Sequence, residues 1–181
     1  MRWLSLLLLG AMTSGCGGAT PPPEPAMDPR PPTLQGTIEQ VPYAGRSAIM
    51  LPPTKWNNGV TTSTLRVYQR PMTCAAARED ERGPTILRAG EYMVDVTFPA
   101  PWPFQPGMVW ESPPEGQGQL ETLRIFFITR ASNGAHGGPG ARGRVRVLEA
   151  SPTGGLLEIE ATGARGAGAV RGLVPFTVCP G

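Results

Sequence analysis

The sequence contains few residues of the types that most often carry chemistry. Its 181 residues include one histidine, His136, one lysine, Lys55, and three cysteines. A single histidine supports neither a histidine-rich metal site nor, by itself, a serine hydrolase. The formal net charge is only +2, whereas nucleic-acid-binding domains present a strongly basic face. We therefore expect no metal, no cofactor and no nucleic-acid partner.

The longest apolar run, Trp3 to Met12, is too short to span a bilayer and has the length of a signal-peptide core. It follows a positively charged start and leads through small residues to a cysteine, in the order Thr13-Ser14-Gly15-Cys16. This segment resembles the lipobox of bacterial lipoproteins, in which the cysteine is acylated and becomes the mature N-terminus.

The resemblance covers about the first 17 residues and implies a signal peptide at 1–15 and a lipid on Cys16. It also implies a place in the cell envelope. Gly17 stands where an aspartate would indicate inner-membrane retention, which favours the outer membrane. Thr13 departs from the family, which usually has an aliphatic residue there. The alternative is ordinary cleavage after Ala19, which would give a soluble exported protein.

Either cleavage leaves two cysteines, Cys74 and Cys179, in an exported and therefore oxidising setting. We expect them to form a disulfide that closes a loop of about 100 residues. Two free buried thiols are the alternative. A metal site is disfavoured, because no histidine lies near either cysteine in the sequence.

Proline dominates the segment that follows Cys16. Thr20 to Pro32 holds seven prolines in thirteen residues, which predicts a semi-rigid polyproline spacer about 40 Å long. We therefore divide the chain into a signal peptide (1–15), a lipidated linker (16–32) and one domain (33–181).

The domain sequence alternates apolar and polar residues in short runs separated by turn residues, a pattern typical of strands. We predict an all-β fold, a single β-sandwich or Greek-key barrel, with one short helix at Ala75–Arg82. The predicted strands are Thr37–Val41, Arg46–Leu51, Leu65–Tyr68, Tyr92–Phe98, Leu123–Ile128, Arg144–Val147, Leu157–Ala161 and Val170–Val178.

The last two predicted strands read as a hairpin, which would bring Arg171 near a glutamate of the facing strand. Pro175 within the last strand indicates an edge or a bulge there. The alternation also points Glu158 and Glu160 outward together, as solvated residues rather than the paired acids of a glycoside hydrolase.

Two motifs match catalytic or cofactor patterns incompletely. Gly138 to Gly143 fits GxGxxG, but the following residues read as a strand, whereas a dinucleotide site needs a helix there. Ser47 stands in half of a nucleophile elbow that lacks its second glycine. We interpret neither as a site.

The most unusual part of the domain is the proline-rich stretch from Pro99 to Gln119, which carries Trp102, Phe104 and Trp110. If exposed on a stiff loop, these rings would form a candidate binding loop. The alternative, which we favour, is that they cap one end of the core.

Taken together, these features predict a membrane-anchored envelope lipoprotein. Its domain would be non-enzymatic, with a protein or glycan partner in the envelope or a purely structural role. The alternative function is an envelope polysaccharide or peptidoglycan hydrolase that uses carboxylates.

Overall fold

The computed structural model describes residues 30–82, 87–113, 121–130, 136–138 and 140–181. The predicted signal peptide (1–15), the lipidation site Cys16 and the linker up to residue 29 lie outside these residues. The described strands are β1 (Gln35–Ile38), β2 (Val41–Ala44), β3 (Ser47–Met50), β4 (Thr54–Lys55), β5 (Thr61–Tyr68), β6 (Tyr92–Phe98), β7 (Val109–Glu111), β8 (Arg124–Arg130), β9 (His136–Gly137), β10 (Gly140–Ser151), β11 (Gly154–Gly163) and β12 (Gly168–Val178). A helix, α1, spans Cys74–Arg82, and a 3-10 turn spans Ala164–Gly166.

Seven strands close into a β-barrel in the order β3, β5, β6, β8, β10, β11 and β12, with β12 pairing back to β3. Every neighbouring pair is antiparallel except β12 with β3, which is parallel. The hairpin of β1 and β2 extends the wall beside the first half of β12. The all-β prediction is confirmed, and the structure is a closed barrel rather than a sandwich. Its seven strands follow the order of the chain around the wall, so the predicted Greek-key connection is not present among them.

Alternating side chains of the barrel strands point inward and form the core, as period-two patterning requires. Val145 and Val147 of β10 and Leu157 and Ile159 of β11 are fully buried. They pack with residues such as Phe127 of β8 in one cluster that fills the barrel interior. Burial of this apolar surface is the main driving force for the fold.

A second apolar cluster lies outside the barrel, where α1 covers β3, β5 and β6. Ile49 and Met93 point outward from their strands and pack with Ala77 of the helix. Cys74 and Cys179 belong to this cluster and are bonded, with Cα atoms 5.5 Å apart. The predicted disulfide is confirmed, and so is the predicted helix, which begins one residue earlier than expected.

The first predicted strand is wrong in one respect, because Thr37–Val41 is not continuous. Glu39 and Gln40 have φ values of 48° and 68° and form a turn between β1 and β2. Two consecutive positive φ values are typical of the tight hairpin turn that usually carries asparagine or glycine. Neither residue type is present here, so the turn left no signal in the sequence.

Pro175 lies where one side of β12 is unpaired among the described residues, which is the local edge that a proline within this strand predicted. Pro175 is buried and opposite Leu156 within the pairing of β12 with β11. On its other side, β12 pairs with β1 up to Arg171 and with β3 from Thr177 onward. Pro175 lies between these two pairings, where a missing N–H costs no ladder hydrogen bond.

Candidate functional site

The aromatic stretch is part of the core, which is the interpretation we favoured. Trp102 is 8% and Phe104 is 6% exposed. Their ring centroids lie 5.0 Å apart, and Trp102 meets Phe176 at 4.9 Å in an edge-on contact. Trp110 is half-buried and its ring centroid lies 5.7 Å from that of Phe104. These rings pack on one another and on the core, so they do not form the exposed binding loop considered above.

Hydrogen bonds fix Trp102 in this position. Its indole N–H donates to the carbonyl oxygen of Ser151 at 2.8 Å. Its backbone N–H donates to the hydroxyl of Ser63, which is fully buried, also at 2.8 Å. The loop thus closes one end of the barrel as a plug that joins β5 to the end of β10.

The incomplete motifs do not assemble a site in the described residues. The Ser47 hydroxyl is buried and donates to the carbonyl oxygen of Arg70 at 2.7 Å. His136 lies in β9, and its side chain is outside the described part of the structure. The residues after Gly143 continue strand β10, as predicted, rather than forming a helix. A Cβ on Gly143 would collide with the carbonyl oxygen of Glu160, so this glycine permits close packing of β10 on β11.

The outer face of β7, β10, β11 and β12 is charged in an ordered way, and we call it the charged face. Register places Glu111 of β7 opposite Arg144, Arg144 opposite Glu160, and Glu160 opposite Arg171. All four side chains are exposed. Residues opposite each other in antiparallel strands share one face of the sheet. The row therefore alternates negative, positive, negative and positive, and the predicted proximity of Arg171 to a glutamate is confirmed.

A second row runs beside the first, two residues along each strand. Val109 lies opposite Arg146, Arg146 opposite Glu158, and Glu158 opposite Leu173. Val109 is 41% and Leu173 is 40% exposed. The second row thus has one charge of each sign between two apolar ends.

The charged face is concave where β12 meets the hairpin of β1 and β2. A groove of about 1080 Å³ is lined there by Gln35, Arg46, Glu158, Glu160 and Arg171, among others. A second groove of about 740 Å³ shares Glu160 and Arg171. It continues across β10 to Arg142 and Arg144, which also line it.

Arginines lie opposite both of the glutamates that line the larger groove. Glu158 and Glu160 point outward, as predicted, and their Cα atoms are about 7 Å apart by strand geometry. Glu158 faces Arg146, and Glu160 faces both Arg144 and Arg171. Each glutamate therefore has an opposite charge on a neighbouring strand, an arrangement that can bind charged groups.

A separate polar pair lies on the outer side of β5 and β6. Asp95 accepts a hydrogen bond from Nε of Arg66 at 3.2 Å and another from the hydroxyl of Thr97 at 3.3 Å. The Asp95 and Arg66 side chains are only 14% and 16% exposed. Burial raises the pKa of Asp95, and the charge of Arg66 offsets part of that rise. The pair is structural, since it joins two neighbouring strands.

Sequence reasoning missed most of the charged face. It found the outward alternation of Arg144 and Arg146 and of the two glutamates, but not their alignment across strands. That alignment depends on the register between strands, including β7, which was not predicted. Opposite charges at alternating positions of adjacent strands were the available signal.

No group of three or more metal-ligating side chains occurs among the described residues. Within the same residues, no helix has the length and hydrophobicity needed to cross a membrane. Comparison with protein-family models, curated proteins and solved structures finds no match.

Proposed function

We propose that this protein is a lipid-anchored envelope protein whose barrel domain has no catalytic role and contacts another macromolecule through the charged face. The resemblance of the sequence around Cys16 to a lipobox supports the anchor. The proline-rich spacer that follows would hold the domain away from the membrane. Gly17, which stands where an aspartate would indicate inner-membrane retention, favours the outer membrane as its location.

The proposed binding role depends on the mixed charge of the two grooves on the charged face. The barrel interior is filled by packed side chains and one end is plugged by Trp102, which leaves the outer surface for recognition. The two grooves on the charged face share Glu160 and Arg171, so both signs of charge line one concavity. Such mixed charge favours recognition of a complementary protein surface.

A glycan is a less suitable occupant of the groove. Tyr43 is the aromatic residue that lines it, and its ring is 2% exposed. Its hydroxyl donates to the carbonyl oxygen of Val67 inside the wall. Sugar rings would therefore find no exposed aromatic surface among the described lining residues.

The anchor and the contact surface are tested separately. Metabolic labelling with a palmitate analogue should mark the full chain and should fail for Cys16→Ser. A photo-crosslinker at exposed Gln35 should capture a defined protein in intact cells. Arg171→Glu should abolish that capture, whereas Arg165→Glu, a matched change at an exposed site outside the charged face, should not. Capture that is indifferent to Arg171 would reject the charged face as the contact surface.

The alternative, a carboxylate hydrolase, has one supporting observation, namely that Glu158 and Glu160 both line the larger groove. It predicts turnover of peptidoglycan or polysaccharide by the purified chain. That turnover should be lost in Glu158→Gln or Glu160→Gln while the fold is retained. Turnover that persists in both variants would remove these residues from consideration.

A further inference from the structure

The order of charges in the first row of the charged face has a symmetry. Read across the strands, Glu111, Arg144, Glu160 and Arg171 alternate in sign over four positions. When a row of alternating charges with an even number of positions is reversed, every position receives the opposite charge. The reversed row is therefore complementary to the original row. A twofold axis in the plane of contact, parallel to the strands and between β10 and β11, reverses it in that way.

Each charge of the row would then face its opposite in a second copy. Glu111 of one copy would face Arg171 of the other, and Arg144 would face Glu160. The same contacts occur twice, because a twofold interface uses one patch from both copies. An alternating row with an odd number of charges would instead place like charges against each other.

The second row fits the same axis without adjustment. Arg146 and Glu158 occupy its middle positions, so each would face the other in the second copy. Val109 and Leu173 occupy its ends, so each exposed apolar residue would meet the other. Both rows therefore share one axis, which would also bring these two exposed apolar side chains together and away from water.

The charged face is also large enough. Strands β10 and β11 pair over about ten residues, which is about 34 Å. Three such strands side by side, with the three residues of β7 beside them, give a face of about 540 Å². Two such faces would together bury about 1,100 Å², just above the ~1,000 Å² expected of a specific interface.

We propose that the charged face binds a second copy of this chain about the twofold axis between β10 and β11. This proposal rests on the proposed function and names the partner of its contact surface. Because most contacts are between exposed charges, the dimer weakens as salt rises. An anchor in the membrane confines the chains to a surface, and the raised effective concentration favours pairing.

The test uses two differently tagged copies of the full chain, expressed together and extracted from membranes in mild detergent. Wild-type copies should co-purify. Two Arg144→Glu copies, or two Glu160→Arg copies, should co-purify about tenfold less, because like charges then face each other twice. An Arg144→Glu copy with a Glu160→Arg copy should recover, because the facing charges are again opposite.

The matched control is Arg165→Glu, an exposed charge reversal outside both rows, which should leave co-purification unchanged. Thermal melting of each variant checks that loss of pairing is not loss of folding. In addition, a photo-crosslinker at Val109 should join the two chains, and the crosslinked peptide should contain Leu173.

Two results overturn the dimer: wild-type copies that do not co-purify, or a charge-swapped mixture that stays as weak as its single variants. Neither result decides the proposed function. If Gln35 still captures a different protein and Arg171→Glu abolishes that capture, the charged face binds a partner other than itself. If the two copies do not co-purify and the crosslinker at Gln35 captures no other protein, the proposed function fails as well.

Discussion

The disulfide joins Cys74, the first residue of α1, to Cys179, the residue that directly follows β12. The two residues are 105 apart in sequence and both are buried. The bond therefore fixes the helix, the covered outer cluster and the end of the last barrel strand to one another. It also closes most of the barrel's chain into one covalent loop.

Removing this bond should destabilise the domain strongly. For a loop of this length the chain-entropy model gives about 4.7 kcal/mol, and measured losses are often smaller. We expect the double variant Cys74→Ala, Cys179→Ala to lose about 2–5 kcal/mol of unfolding free energy, measured by urea denaturation. A reducing agent should lower the stability of the wild type and leave the double variant unaffected. Equal stability of the oxidised wild type and the variant would contradict this.

The disulfide and the strands with clear alternation were predictable, for physical reasons. Cys74 and Cys179 were the pair left after Cys16, and buried faces impose a period of two on β10 and β11. The charged face was not predictable as a surface, because a one-residue slip in register would realign every charge. The turn at Glu39 and Gln40 was missed because its positive φ values are carried by residues that seldom adopt them.

The plug at the end of the barrel should tolerate little change at Trp102. Trp102→Ala should cost about 3–5 kcal/mol, because a large buried ring leaves a cavity. Trp102→Phe should cost less, since it keeps an aromatic ring and loses mainly the 2.8 Å hydrogen bond to Ser151. Trp56 is the matched control, being 42% exposed. Chemical denaturation that gives Trp56→Ala and Trp102→Ala similar losses would refute the plug.

The glycines of the GxGxxG match should differ in their tolerance of alanine. A Cβ on Gly143 would meet the carbonyl oxygen of Glu160 and, at 2.7 Å, Cδ1 of Ile125. A Cβ on Gly140 would meet its nearest atom at 4.0 Å. We expect Gly143→Ala to cost about 1–3 kcal/mol, as overpacking does, and Gly140→Ala to change little. Similar melting temperatures for the two variants would show that close strand packing does not explain Gly143.

Asp95 should make the free energy of unfolding depend on pH. Burial raises the pKa of Asp95 above its ordinary value, and Arg66, Thr97 and the charge of Arg124 offset the rise only in part. The folded state therefore binds this proton more tightly than the unfolded state does. By linkage, its contribution to stability is full at acid pH, below the unfolded pKa, and falls as pH rises through the folded pKa.

Asp95→Asn removes the titration while keeping the shape of the side chain. We expect the unfolding free energy of Asp95→Asn, minus that of the wild type, to grow more positive as pH rises from about 4 to about 7. Urea denaturation of both proteins across this range measures it. In Arg66→Gln the fall in stability should extend to higher pH than in the wild type, since the cation that lowers the pKa of Asp95 is then gone. A difference that becomes more negative with rising pH would mean that attraction to Arg66 outweighs burial at this carboxyl.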